Sequence, residues 1–325
     1  MPSATLITGA AGFAGSHLID LLARDGATIV AWYRPPSAPG ASSFNRTSRP
    51  PQSPAAVWEA VNLLDRAAVA AAIGRIRPDI VYHCAGAAHV GRSWDSTTAT
   101  FAINVRGTHH LFEALRREGN RARVVVPSSA MVYKPADVAL GEDHPLTPSS
   151  PYGVSKLAQE LLGCRGVSDG LEVTIARAFN HFGPRQDPFF AASGFARRIA
   201  DIEAGRWEPE IAVGNLDARR DLTDVRDTVR AYQTIVERGR PARPYNVCTG
   251  RAIAIGELLD LLLARARVPI HVRPDPARYR PNDTPLVVGD PTRIRTELGW
   301  EPEIPLEQAV DDLLQYWRDA AVGQG

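Results

Sequence analysis

The chain has 325 residues, 37 lysines and arginines against 36 aspartates and glutamates, and a formal net charge of +1. That length makes one large domain or two packed ones, and the balanced charge argues against a nucleic acid or a membrane surface as partner. With 44% hydrophobic and 22% charged residues, the composition is that of a folded globular chain, and no apolar run reaches the roughly 20 residues of a membrane span.

The first half alternates strand-like runs with helical periodicity. Runs rich in Val, Ile and Tyr predict strands over 4–8, 28–33, 79–84, 123–128 and 171–177. Leu18, Ile19, Leu21 and Leu22 predict a first helix that stops at Gly26. A second helix is predicted from Val105 to Leu115 and a third after Pro151. Near-continuous apolar strands separated by helices imply an α/β fold, a Rossmann-type doubly wound parallel sheet covered on both faces. Residues 35–54 are rich in proline and serine without periodicity and predict a long loop.

Residues 179–220 read as mixed and loop-rich, which suits a substrate-facing region. A further strand is predicted over 244–249, a helix over 256–267, and a last amphipathic helix from Leu306 with Ala309, Val310, Leu313, Leu314 and Trp317 on one face. The expected division is a dinucleotide-binding unit over 1–177, to which 226–250 returns, and a smaller mixed α/β unit over 178–225 and 251–325 that takes the substrate. The start, Met1-Pro2-Ser3-Ala4, has neither the basic nor the apolar segment of a secretory signal. Cys84, Cys164 and Cys248 are far apart and form no Cys-x-x-Cys pair. No metal or disulfide framework is expected, and the expected location is the cytoplasm.

Three features carry chemistry. Thr8-Gly9-Ala10-Ala11-Gly12-Phe13-Ala14-Gly15 lies where the first strand meets the first helix. Glycines there permit a tight turn, let backbone N–H groups approach a pyrophosphate, and allow close packing of helix on strand. The second strand ends Ala31-Trp32-Tyr33-Arg34, without the acid that would bind a ribose 2′-hydroxyl and with an arginine suited to a 2′-phosphate. NADP(H) is therefore the favoured cofactor, with NAD(H) the alternative.

Tyr152 and Lys156 stand four apart on one helix face, where the ammonium is expected to lower the phenol pKa and make Tyr152 an acid or base. Only two of the 37 basic residues are lysines, Lys134 and Lys156. In so arginine-rich a chain, a lysine at this position points to a need for a compact ammonium. The third feature is Ser129, at the carboxyl end of the strand over 123–128, where such sheets bind ligands. His83, His89, His109, His110 and His181 show no metal-ligating pattern, and His89 and Arg92 are candidates to touch substrate.

With these features in place, the chain resembles the extended short-chain dehydrogenase/reductase family acting on nucleotide-diphosphate sugars. The likeness extends through His83-Cys84-Ala85-Gly86, Asn104-Val105-Arg106-Gly107-Thr108, Ser128-Ser129-Ala130-Met131-Val132-Tyr133 and Pro151-Tyr152-Gly153-Val154-Ser155-Lys156. It continues through Phe179-Asn180-His181-Phe182-Gly183-Pro184, Arg220-Asp221-Leu222-Thr223-Asp224 and Tyr245-Asn246-Val247-Cys248. In its second half it is similar to bacterial GDP-4-keto-6-deoxy-D-mannose reductases, notably at Arg278-Tyr279-Arg280-Pro281-Asn282-Asp283.

The resemblance implies Ser129, Tyr152 and Lys156 as catalytic residues. It implies cofactor contacts from Gly9, Gly12, Phe13, Ala14, Gly15, Arg34, Asn62, Leu63, Ala85, Gly86 and Asn104, with Tyr152 and Lys156. Ser129, Asn180, Arg220, Arg280 and Asp283 would meet the nucleotide-sugar, the arginines at its diphosphate. Two departures stand out. Dehydratases of the family carry an Asp-Glu pair directly after the catalytic hydroxyl, where this chain has Ala130-Met131, which argues against a dehydratase. Asn62 stands where an aspartate is usual near adenine.

The implied activity is NAD(P)H-dependent reduction of a GDP-4-keto-6-deoxy-hexose at C4, in a homodimer. The rivals are a nucleotide-sugar 4-epimerase with retained NAD and a non-catalytic NAD(P)-binding protein.

Overall fold

A computed structural model describes residues 4–35, 53–279 and 284–322. The first half runs β1 (Ala4–Thr8), α1 (Phe13–Arg24), β2 (Thr28–Tyr33), β3 (Ala56–Ala60), α2 (Arg66–Ile76), β4 (Ile80–His83), α3 (Val90–Asp95) and α4 (Thr97–Phe101). A π-helical turn (Ala102–Arg106) leads into α5 (Gly107–Arg117), followed by β5 (Arg123–Ser129), α6 (Pro151–Ser168) and β6 (Glu172–Ala178). Then come β7 (Asn180–Phe182), α7 (Ala191–Glu203), β8 (Glu210–Val213), β9 (Arg219–Asp224), α8 (Val225–Arg238) and β10 (Pro244–Val247). The chain closes with β11 (Ala252–Ala254), α9 (Ile255–Leu263), β12 (His271–Pro274), β13 (Leu286–Val287), α10 (Thr292–Leu298) and α11 (Leu306–Val322).

Seven strands make one parallel sheet in the order β10-β6-β5-β4-β1-β2-β3. Its two faces bury separate apolar layers. Leu18, Ile19 and Leu22 of α1 meet Val229, Tyr232 and Ile235 of α8 on one face. Val69 and Ile73 of α2 meet Leu111, Phe112 and Leu115 of α5 on the other. The strand order reverses at β1, between β2 and β4, and the crevice beyond the carboxyl ends of such strands is where open α/β sheets bind ligands.

The sequence reading missed β3 and α2. β3 is an edge strand with Val57 exposed and Glu59 within it, short and only half-buried. α2 is largely alanine, and its start is set by Asp65, whose carboxylate accepts from Ala67 N and Ala68 N. Of the predicted loop 35–54, residues 36–52 lie outside the described residues, and 179–220 is not the loop-rich stretch expected. It holds β7, α7 and β8, with a core of its own. Ala196 and Ile199 of α7 pack with Leu258 and Leu262 of α9 and with Val310, Leu313 and Leu314 of α11. A small sheet, β11-β9-β13 with β7 also on β9, lies between this core and the crevice and mixes parallel and antiparallel pairs.

Candidate active site

The glycine turn closes the space between β1 and β4. Gly9 has φ +66°, and a Cβ there would lie 2.6 Å from Ala85 N. A Cβ on Gly15 would meet Gly9 O at 2.4 Å, so glycine is what lets α1 reach the strand. Gly12 is the N-cap of α1 and brings no side chain to cap it, leaving first-turn N–H groups, those of Phe13, Ala14 and Gly15 among them, to face an anion. Ala10 N donates to Trp32 O at 3.0 Å and ties the turn to the end of β2, just before the half-buried Arg34. These features fit a dinucleotide.

Opposite, α6 begins with Ser150, whose Oγ accepts from Gly153 N at 3.1 Å, and with Pro151 in its first turn. The next N–H, on Tyr152, is taken by Ser93 Oγ of α3 at 3.1 Å. Gly153 sets how near α6 can come to β5, because a Cβ there would lie 2.3 Å from Met131 O. That approach brings the Tyr152 phenol to face the Ser129 hydroxyl, whose Oγ accepts from Met131 N at 3.2 Å. Burial raises the phenol pKa above its usual value, and Ser129 offsets this only in part. The expectation that Lys156 governs the phenol is thus corrected. Burial governs it, and the ammonium donates instead to Gln159 Oε1 at 2.6 Å, one turn further along α6.

Lys156 is itself buried, which lowers its pKa to about 8 against the opposing pull of Glu160. Asn104, in the π-helical turn, is fully buried. Its Nδ2 donates to Ser155 Oγ at 2.8 Å and its Oδ1 accepts from Ala87 N at 2.8 Å. A π-turn sets one residue off the helical register, and such turns recur at functional sites. A Cβ on Gly86 would strike Asn104 Oδ1 at 2.9 Å. In this structure Asn104 holds the 85–87 segment against α6.

The remaining predicted residues are spread around the crevice. Asn62 follows β3 and uses its Oδ1 to accept from Leu64 N at 3.1 Å. Leu63 is buried against Gly107, and its carbonyl bonds the His110 ring at 2.9 Å. Asn180 is exposed at the start of β7 and pairs in register with Leu222 of β9, two residues from Arg220. Arg220 Nη1 donates to Thr284 O at 2.8 Å. Its neighbour Asp221 turns the other way, accepting from Thr249 N, Thr249 Oγ1, Gly250 N and Gly289 N. Arg280 and Asp283 lie outside the described residues. His89 stacks on Phe190 with ring centroids 4.6 Å apart, and the Arg92 guanidinium lies 4.3 Å from the Phe189 centroid.

Several residues of the site went unnoticed in the sequence. Ser93 and Gly153 are two. A third group joins α1 to the loop after β7, where Arg185 donates to Asp20 at 2.6 Å and bonds His17 Nδ1 at 2.7 Å. His17 Nε2 bonds Pro184 O at 2.8 Å, and Phe13 stacks on His181. The unusual φ of +72° at Arg185 was the kind of signal only coordinates carry.

The family model described as GDP-mannose 4,6 dehydratase matches residues 6–313. A GDP-6-deoxy-D-mannose reductase of Pseudomonas aeruginosa is 37% identical over 244 residues, spanning 74% of this chain and 80% of that one. Among solved structures, RMD from Pseudomonas aeruginosa complexed with NADPH superposes with a TM-score of 0.81 at 30% identity, covering 98% of this chain and 99% of the other. UDP-glucose 4-epimerase of Thermus thermophilus, complexed with NAD, gives 0.84 at 27% identity over the same shares.

Proposed function

The chain belongs to the GDP-mannose 4,6-dehydratase family of extended short-chain dehydrogenase/reductases, and from that premise we propose that it reduces the C4 carbonyl of a GDP-4-keto-6-deoxy-hexose to give a GDP-6-deoxyhexose of the GDP-D-rhamnose type. The enzyme is an NAD(P)-dependent oxidoreductase. The observation that carries the direction of the reaction is the half-buried Tyr152 at the start of α6, whose phenol faces Ser129 and is kept protonated by a desolvation that raises its pKa above the usual value. A reductase needs that proton at the outset, for the alkoxide that forms. Ala130 and Met131 offer neither an acid nor a base beside Ser129, so the elimination that gives the family its name has no proton carrier there.

Backbone groups of Gly9, Gly12, Phe13, Ala14 and Gly15 hold the pyrophosphate, Arg34 the 2′-phosphate of NADP(H), and Asn62 and Leu63 flank the adenosine. Ala85 and Gly86 line the nicotinamide side with Tyr152 and Lys156, and Asn104 serves the cofactor from behind by holding the 85–87 segment. When bound, the reduced nicotinamide supplies the hydride. Ser129 orients the substrate carbonyl by a hydrogen bond, and Tyr152 delivers its proton to the same oxygen. Asn180 and Arg220, with Arg280 and Asp283, take the nucleotide-sugar, guanidinium forks being suited to diphosphate oxygens.

The division of labour follows. Residues 1–177 with 226–250 bind the cofactor, and 178–225 with 251–325 bind the nucleotide-sugar. A homodimer would cover Trp94 of α3 and Val154 and Leu161 of α6, large apolar side chains that are all exposed. Among the described residues no helix is long and apolar enough to cross a membrane.

The test follows the reduced-nicotinamide absorbance with purified protein, GDP-4-keto-6-deoxy-mannose and NADPH or NADH. Stoichiometric loss, faster with NADPH, is expected. No loss, together with oxidised cofactor released on denaturation, would establish instead the 4-epimerase reading, which the likeness to the NAD-bound epimerase favours.

A further inference from the structure

The polar side chains behind Lys156 form one hydrogen-bonded line with a fixed direction. Lys156 Nζ donates to Gln159 Oε1 at 2.6 Å, and Gln159 Nε2 donates to Thr108 Oγ1 at 2.8 Å. Thr108 gives its one proton to Asn104 O at 2.5 Å, so towards His83 Nε2, 2.9 Å away, it can only accept. His83 therefore carries its hydrogen on Nε2, and Nδ1 accepts from Thr8 Oγ1 at 2.8 Å. Thr8 Oγ1 in turn accepts from Ala85 N at 3.2 Å. The line runs from the first residue of the glycine turn to the lysine, and Thr8, His83, Thr108 and Gln159 are all buried.

That direction leaves Gln159 one orientation. Flipped, its NH2 would face the ammonium, donor against donor, and its oxygen would face a Thr108 oxygen whose proton is already spent. A buried polar group without a partner is costly, so the line holds together as a unit. We propose that Gln159 is a positioning residue for Lys156: its carboxamide, oriented by Thr108 and His83, is the acceptor that keeps the buried ammonium charged and fixed on α6.

The surroundings fit that role. Burial works against the charge on Lys156, whereas Glu160 on α6 favours it; Cys84, just after β4, keeps its proton, its pKa pushed up to about 12 by burial. His83 is held neutral, at about 3, by its burial and by Lys156. It therefore does not compete for charge at working pH. Gln159 is the direct hydrogen-bond acceptor. The consequence for cofactor affinity rests on the proposed function, but the charge state of Lys156 does not, so the two can fail separately.

The chain has only two lysines, and Lys134 is exposed, so trace acetylation with acetic anhydride across pH, read by mass spectrometry, compares Lys156 with an internal standard. In the wild-type protein the Lys156 midpoint should lie near 8. Gln159→Leu should lower it by about one unit further, and Gln159→Glu should raise it above wild type. NADPH affinity at pH 8 should fall about tenfold in the leucine variant and recover in the glutamate variant. A structural role alone would lower thermal stability and leave the midpoint unmoved. An unmoved midpoint in folded Gln159→Leu, or both variants shifting the same way, overturns the proposal. If the leucine variant does not fold, the absence of an upward shift in Gln159→Glu overturns it alone.

Discussion

Around Tyr152 the polar side chains are engaged within the protein. Ser93 takes the Tyr152 N–H, Asn104 bridges Ala87 and Ser155, and Gln159 takes Lys156. Across the crevice, on β7 and β9, Asn180 is exposed, and Arg220 rests on the backbone carbonyls of Arg219 and Thr284. The fixed part of β9 is Asp221, which points away into four donors. On the proposed reading, the residues for the chemistry are held by internal bonds, whereas recognition falls to the exposed Asn180 and the half-buried Arg220. Substrate choice can change on the second side without disturbing the first, and the charge types follow suit. The compact ammonium shares α6 with the phenol, and on the proposed reading the Arg220 guanidinium would meet a diphosphate.

Substitutions on the two sides should therefore fail differently. Tyr152→Phe should lower kcat by about a thousandfold while NADPH binding, followed by fluorescence titration, persists. Retention of turnover would remove Tyr152 as the proton donor. Gly153→Ala forces a methyl to within 2.3 Å of Met131 O, and the resulting displacement of Tyr152 from Ser129 should cost about a hundredfold in kcat. Steady-state rates and thermal melting together would separate misplacement from unfolding.

On the recognition side, Arg220→Ala should raise KM for the nucleotide-sugar by about tenfold or more with kcat nearly kept. A kcat loss there would blur the distinction between the two sides. Arg34→Ser should narrow the preference for NADPH over NADH by about tenfold, read from kcat/KM for each cofactor. The smallest effect is that of pH. The ammonium of Lys156 is lost as pH rises through about 8, whereas the phenol of Tyr152, raised by burial, keeps its proton there. The reductive rate should decline above pH 8 on a single limb, and a limb unaltered in the Gln159 variants would assign it elsewhere.

Six of the seven strands of the central sheet, the glycine turn and the placing of Tyr152 and Lys156 on one helix were legible in the sequence, because each is local. A five-residue apolar run, a cluster of glycines or an i,i+4 pair needs no fold to be seen. β3 escaped because at the sheet edge none of its five residues is fully buried, and α7 because its buried face relies partly on small residues, Ala192, Ala196 and Ala200, alongside Ile199. The line from Thr8 through His83, Thr108 and Gln159 was illegible for another reason. Its members come from β1, β4, α5 and α6, and only the sheet order makes them neighbours.

The same sheet order constrains how the chain is made. β10 pairs with β6, and α8 covers the face that α1 covers only in part, yet both follow β6 by way of β7, α7, β8 and β9. A nascent chain that has emerged only through Ala178 has its first six strands but a bare β6 edge and an unroofed apolar layer. That half-built sheet has to wait on the ribosome for residues 225–247, during which an open edge and exposed Leu and Ile invite pairing with other chains. Chaperone capture should therefore concentrate in that window of translation, and stopping the gene after β6 should give aggregates rather than a small nucleotide-binding domain.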